Sequence, residues 1–363
     1  MVCTPDDVVA AMVRLDREHR RRVERIGETV QALAEEHGED RVEPAPVNAS
    51  NAPSLAQALK GVALVVVASS SAPYTEHVAR AALAAGCDYL DMQPLRRKLK
   101  VLRPLVKHIK QAGRCFIVDA GFRTGMPSTL VRFMAGRFDA LERANVACIT
   151  RPNWAECNLS DATYAELVEC VRESRARFFS KGKWHRGFFS RGTGARTVDF
   201  GVPFGKRRCF ALDIEEMRAL PAAIPSLRET GCFTAGYNRV ADKMILPWAW
   251  RCLKVCPWLL RKPLQRMLRR ALERFSKPPF GAHIRIDASG QMGGKGLAMT
   301  LHLEHEEPYA FAAAAVVACI LQYLDNELPK PGLFFMGNIV EPERFMADIA
   351  RMGLPHAFER KPR

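Results

Sequence analysis

The chain has 363 residues, room enough for two domains, and its 48% hydrophobic and 26% charged content is that of an ordinary globular protein rather than a disordered one. A formal charge of +15, from 54 Lys and Arg against 39 Asp and Glu, raises the question of an anionic partner. No RNP run, zinc finger or clear helix-turn-helix accompanies that charge, so it reads as solvated helix faces and a pocket for an anionic ligand, with no nucleic acid.

Eleven cysteines without a CxxC give no zinc ribbon or thiol-redox motif, and their odd count without framework spacing fits a reducing cytoplasm. No run reaches the ~20 apolar residues that cross a membrane. The first residues carry acids and no small-residue cleavage site, so they do not read as a secretory signal. His302 and His305 sit three apart in a predicted strand and so face opposite ways, which argues against a metal site.

In chain order, Thr4-Pro5-Asp6-Asp7 predicts a helix start, with a Thr N-cap, Pro in the first turn and acids beside it. Helical sequence continues to His37-Gly38, where glycine supplies a stop. A dinucleotide-binding chain would instead open with an apolar strand and G-x-G-x-x-G, whose glycines let backbone N–H groups approach a pyrophosphate. Neither is present here: Gly27 stands alone, with Gly38 next. A strand is predicted over Arg41–Val47 and a short helix near Ser54–Leu59.

The most informative stretch is 64–128. Three apolar runs, in ALVVVASSSAPY (63–74), CDYLDMQ (87–93) and CFIVDAGFRTGMPS (115–128), alternate with helical sequence over Thr75–Ala85 and Leu95–Ala112. Apolar runs of four to six residues separated by amphipathic segments predict parallel strands covered by helices. Ligands of such sheets bind beyond the carboxyl ends of the strands, where this sequence places SSSAPY, DMQ and AGFRTG.

Beyond Ser128 a helix leads into a strand that opens a second domain, followed by a helix capped near Ser160 or Asp161. The glycines of RGTG (191–194) predict a hairpin or lid, since no apolar strand enters them. RTVDFGVPF, KRRCFALD, HIRIDAS and LAMTLHLEH alternate like antiparallel strands of a half-open sheet. Residues 244–280 mix Trp248, Trp250 and Trp258 with six basic residues between Arg261 and Arg274, and Pro247, Pro257 and Pro263 are expected to break them into short helices. That composition suits either an insertion packing inward or a helix lying on a membrane surface. Glu306–Leu328 is Ala-rich and apolar all round its middle, which predicts a buried helix.

The order RVEPAPVNASNAPSLAQAL, VVVASSSAPY, CDYLDMQ and VDAGFRTGMPSTLVRF, continued by RTVDFGVPFGKRRC, LRETGCFTAGYN and the ending PGLFFMGNIVEP, resembles the saccharopine dehydrogenase-like NAD(P)-dependent oxidoreductases, without their first strand and glycine loop. The resemblance implies an α/β fold: an incomplete Rossmann-like parallel sheet (1–125), a second α+β domain on a mixed or antiparallel sheet (126–330, with the 244–280 insertion), and a C-terminal segment (331–363) returning to the first. It implies NADP or NAD as cofactor, contacted by Ser69, Ser70, Ser71 and Pro73 in place of an N-A-A-G-P loop, by Asp91 of the Y-L-D motif, and by Asp119, Gly121, Phe122 and Gly125 of an A-G-F-x-P-G-like loop in which Thr124 replaces proline. Arg123, Tyr74 and His305 are the candidates for binding substrate, and no catalytic acid is assigned.

The function implied is hydride transfer at a C–N or carbonyl bond of a small carboxylate-bearing substrate by a cytoplasmic homodimer. The alternative is a non-catalytic or truncated family member with a degenerate nucleotide site, peripheral to a membrane through 244–280.

Overall fold

The computed structural model describes residues 45, 47–157, 159–187, 192–238 and 240–362. The expected N-terminal helix over 4–38 and most of the 41–47 strand lie outside them. The chain divides into two compact units: one runs through Gln93 and takes in Arg97–Phe116 and Lys330–Leu333, and the other comprises Pro94–Arg96, Ile117–Pro329 and Phe334–Arg363.

In the first unit, Asn51 caps helix α1 (Ala52–Ala58) by accepting the Ser54 N–H at 3.0 Å. Strand β1 (Leu64–Val67) is followed by a short 3-10 turn and α2 (Thr75–Ala85), which stops where Gly86 takes φ 66°. Only glycine adopts that conformation without strain, so the sequence sets the helix end. β2 (Asp88–Asp91), α3 (Lys98–Gln111) and β3 (Cys115–Val118) follow. With the strand Gly332–Phe335, β12 in chain order, these make a four-stranded sheet ordered β1-β2-β3-β12, and β1 pairs parallel to β2 with Val67 opposite Asp91. The expected parallel α/β class is the one found. All of β2 and β3 is buried, whereas three of the four β1 residues are half-buried. The core includes Leu99, Leu102, Leu105 and Ile109 from one face of α3, and the Tyr89 ring stacked on Phe116 at 5.1 Å.

The second unit opens with α4 (Met126–Ala135) and the long β4 (Ala140–Arg151). Helix α5 (Asp161–Glu173) is capped by Ser160, whose Oγ accepts the Thr163 N–H at 3.0 Å. Strands β5 (Ala176–Ser180), β6 (Lys183–Gly187), β7 (Ala195–Asp199), β8 (Lys206–Leu212) and β9 (Glu229–Ala235) precede helices α6 (Leu246–Val255) and α7 (Pro257–Arg274). β10 (Gly281–Met292) and β11 (Lys295–His305) form a hairpin across Gly293-Gly294, both at positive φ as a two-residue turn requires. Helix α8 (Pro308–Leu324), helix α9 (Pro342–Arg351) and β13 (His356–Pro362) complete the unit. The sheet is mixed, ordered β13-β11-β10-β4-β9-β5-β6 with β8 also on β9. Its β4–β9 pair runs parallel, and β10 lies antiparallel to both β4 and β11.

Two expectations need correction. Helix α8 is buried on most of its surface, with Phe311, Ala315, Ala318 and Cys319 inside, but Tyr309, Val317 and Leu324 are exposed. Mean apolarity does not say how many neighbours a helix has. Pro257 does start a new helix, but Pro263 does not end it: α7 continues to Arg274. Pro263 lies on the exposed side, while Leu264, Leu268 and Leu272 anchor the opposite side, and their burial outweighs the one backbone hydrogen bond that proline removes.

Candidate functional site

In the first unit the candidate residues collect at the carboxyl ends of β1 and β2. Their organiser is Gln93, two residues past β2 and almost fully buried. Its Nε2 donates to the Ser69 carbonyl and to the Ser71 Oγ, both at 3.1 Å. Its Oε1 lies 3.2 Å from the Thr75 hydroxyl at the start of α2. One side-chain amide therefore ties the loop after β1 to the loop after β2. The Ser69 Oγ donates to the Ser71 Oγ at 3.0 Å, and backbone bonds from Ser71 to Ser69 and from Tyr74 to Ser71 close the turn. Pro73 and Tyr74 stand outward, with the Tyr74 side chain 39% exposed, and Ser70 is half-buried between them and β1.

Asp91 is fully buried beneath this rim. Its carboxylate accepts from the Tyr89 hydroxyl at 3.0 Å, from the Gln93 N–H at 3.2 Å and from the Lys98 ammonium, itself buried. Lys98 also donates to the Gln93 carbonyl. Burial, and then the neighbouring Asp91 charge, push the Tyr89 phenol well above its ordinary range, so it remains a donor. Asp91 thus fixes Gln93, and Gln93 fixes the serine loop. The sequence placed Asp91 and, within DMQ, Gln93 at this strand end, but gave Gln93 no role and did not mark Lys98 or Thr75, which open helices α3 and α2.

In the second unit, Asp119, Gly121, Phe122, Arg123 and Gly125 share one loop between β3 and α4. Asp119 takes φ 59°, uncommon for a residue with a side chain, and Gly125 takes φ 86°. A Cβ on Gly125 would lie 2.6 Å from the Asp119 carbonyl oxygen and 2.3 Å from the Met336 Cε, so the position requires glycine. The Gly125 N–H donates to Glu216 Oε1 at 2.6 Å, and Glu216 is fully buried. Phe122 is buried edge-on against Phe311 at 4.7 Å, a core contact.

Arg123 differs from its neighbours. Its Nη2 donates to the Thr234 Oγ1 at 3.3 Å and its guanidinium carbon sits 5.8 Å from the Tyr237 ring centre. Its Nε is buried with no hydrogen-bond partner, and no carboxylate pairs with it among the described residues. Burial opposes its charge and the Tyr237 hydroxyl favours it, leaving the pKa above the usual arginine value. Arginine's planar fork matches carboxylate and phosphate geometry, so such a guanidinium has the chemistry to receive either. Cys148 and Cys232, with sulfurs 3.9 Å apart, belong to its surroundings, and Cys232 is held well above the ordinary thiol range by its bond to Cys148 and by burial. His305 accepts the Glu307 N–H at Nδ1 (2.9 Å), which caps the entry to α8. The expectation about His302 is extended: its Nδ1 meets His283 Nε2 at 3.0 Å across the β10–β11 pair, and no group of three or more metal-ligating side chains occurs among the described residues.

The chain thus holds one unit with a parallel sheet and a fixed polar rim at its strand ends, and one unit built on a large mixed sheet. Residues 16–115 match the model of the saccharopine dehydrogenase NADP binding domain. Apo saccharopine dehydrogenase (L-Glu forming) from Saccharomyces cerevisiae superposes with a TM-score of 0.62 at 14% identity, covering 91% of each chain, and shares the fold. A dehydrogenase from Clostridium difficile (TM-score 0.34, 5% identity, 89% of this chain and 84% of that) and an oxidoreductase from Sinorhizobium meliloti (0.33, 12%, 90% and 77%) overlap more loosely. No curated protein matches the chain.

Proposed function

We propose that this chain is an NAD(P)-dependent oxidoreductase of saccharopine dehydrogenase type, acting on a C–N or carbonyl bond of a small carboxylate-bearing substrate. The observation that carries the reading is the family match over 16–115, which includes the serine loop, Tyr89-Leu90-Asp91 and Gln93. The residues present fit the nicotinamide–ribose end of a dinucleotide. They offer a hydroxyl-rich loop held rigid by a buried amide, at the ligand-binding edge of parallel strands, with the outward Tyr74 ring beside it. The sequence has no G-x-G-x-x-G to hold a pyrophosphate.

Bound NAD(P) supplies or accepts the hydride. The chain's own residues bind and orient. Ser69, Ser70, Ser71 and Pro73 hold the ribose and nicotinamide. Asp91 acts as a positioning residue, through Gln93. Asp119, Gly121 and Gly125 shape the loop that presents Arg123. Arg123 takes the substrate carboxylate in a two-bond grip, its unpartnered Nε being one of the two donors.

Turnover tests this reading: NADPH oxidation is followed by absorbance with a series of 2-oxo acids, each with and without an amino-acid amine. The reading expects oxidation with at least one combination, and an Arg123→Met variant whose KM for the acid rises roughly tenfold or more while kcat changes less. An unchanged KM removes Arg123 from the site. No oxidation and no cofactor binding would favour the second reading, a family member with a degenerate nucleotide site. The absence of any G-x-G-x-x-G in the sequence is what keeps that reading in play.

A further inference from the structure

We propose that helices α6 and α7 form a docking face for an anionic lipid bilayer, on which the protein lies without crossing it. The two helices use their inner faces on α5: Ala249, Leu253, Leu264, Leu268 and Leu272 join Tyr164 and Val168 in one core cluster. That much is the inward-packing insertion. What sets these helices apart is the other side.

On α6, Trp248 and Val255 are 68% and 79% exposed, and their spacing of seven residues places them within about 20° of one another around a helix of 3.6 residues per turn. Met244, in the π-helical turn Ala241–Ile245 just before α6, is 65% exposed. On α7, Leu259 and Met267 are 58% and 51% exposed. Arg266 and Arg270, also exposed, fall within about 20° of Leu259 on the same wheel. Large apolar side chains set singly on a surface call for no explanation. Four on the outward sides of two helices that share one inner layer, with Met244 just ahead of them, do.

The charge around them names the occupant. From Lys243 to Leu272 the sequence has eight Lys and Arg and no Asp or Glu. Arg261 reaches Glu169 and Arg269 reaches Asp161 and Glu273, so part of this charge is used internally. Lys262, Arg266, Arg270 and Arg274 have no acidic partner among the described residues. Exposed Trp, Leu and Met beside unpaired Lys and Arg match an interface that is apolar below and anionic above, which is the headgroup region of a phosphatidylserine-containing leaflet. A polyanion such as nucleic acid would satisfy the charge but leave the apolar stripe in water. No helix among the described residues is long and apolar enough to cross a membrane, so the contact is peripheral.

The test uses the full chain in flotation with vesicles of phosphatidylcholine alone, or with about 30 mol% phosphatidylserine, at about 0.1 M salt. The expected result is partition onto the serine-lipid vesicles at least about tenfold above the neutral ones, falling as salt rises. Trp248→Ser with Leu259→Ser, both at exposed positions, should lower that partition about tenfold. Arg266→Glu with Arg270→Glu should do the same by a separate route. Circular dichroism confirms that each variant is folded, and if one is not, the other decides. Wild-type protein that stays with the buffer control overturns the proposal. So does a serine variant that binds as well as wild type, since the adsorption would then be electrostatic alone. If light scattering shows a wild-type dimer that the serine variant dissociates, and vesicles bind neither, the face belongs to a second copy and the proposal fails.

Discussion

Asp91, Lys98, Tyr89 and Gln93 form a buried polar knot whose strength depends on every member having its partner. Lys98→Met leaves the Asp91 carboxylate buried without its cation, which typically costs about 3–5 kcal/mol. An unfolding free energy from urea denaturation lowered by that amount is expected, whereas an unchanged value would mean the pair adds nothing. Half-buried Asp242 and buried His283 contribute opposite pH trends. Burial raises the Asp242 carboxyl to about 6, against the pull of the Tyr237 N–H it accepts and of Arg151. A raised pKa means its contribution is complete below the unfolded value near 4 and is lost as pH climbs through 6. His283 is pushed down to about 4 by burial, then by His302 and Arg285, so its contribution is complete above about pH 6.5 and is lost as pH falls toward 4. The two trends oppose each other between pH 4 and 6. Asp242→Asn, which keeps an oxygen for the Tyr237 N–H, should add on the order of 2 kcal/mol near pH 7 and leave the His283 slope uncovered. Denaturant unfolding at several pH values checks this, and a variant with the wild-type slope would contradict it.

At the scale of elements, local chemistry made some features readable and distance hid others. The runs at β1 and β3 stood out because they are apolar throughout, as strands of a covered parallel sheet tend to be, whereas β2, Asp-Tyr-Leu-Asp, buries an acid at each end. Helix α2 was placed residue for residue because Gly86 ends it. Ser160 announced α5 in the same way. Gln93 could not be read, since a glutamine says nothing of partners 22 and 24 residues earlier that a sheet brings beside it. The His283–His302 contact was hidden for the same reason, being set by the register of β10 on β11. The candidate loop between β3 and α4 was legible in outline, its glycines marking unusual backbone, but not in the bond from Gly125 to Glu216. Gly125→Ala should lower stability by about 1–3 kcal/mol, because it forces a side chain into φ 86° and against the Asp119 carbonyl. A melting temperature equal to wild type would show that the loop can shift to accept it.

At the scale of the whole molecule, the parallel sheet and the mixed sheet assign the fold, and residues 16–115 match the model of a saccharopine dehydrogenase NADP binding domain. The net charge gave no direction by itself. It gained meaning where arginines without an acidic partner among the described residues flank exposed apolar side chains on α6 and α7, and where Arg123 pairs with no carboxylate among them. The central claim is that the rim held by Gln93 receives a nicotinamide dinucleotide. Fluorescence titration of the full-length chain with NADPH, alongside Gln93→Leu, tests it most directly. Saturable submillimolar binding to the wild type, weakened at least about tenfold in the variant, is the predicted result; no saturable binding, or equal affinity in both proteins, would contradict it.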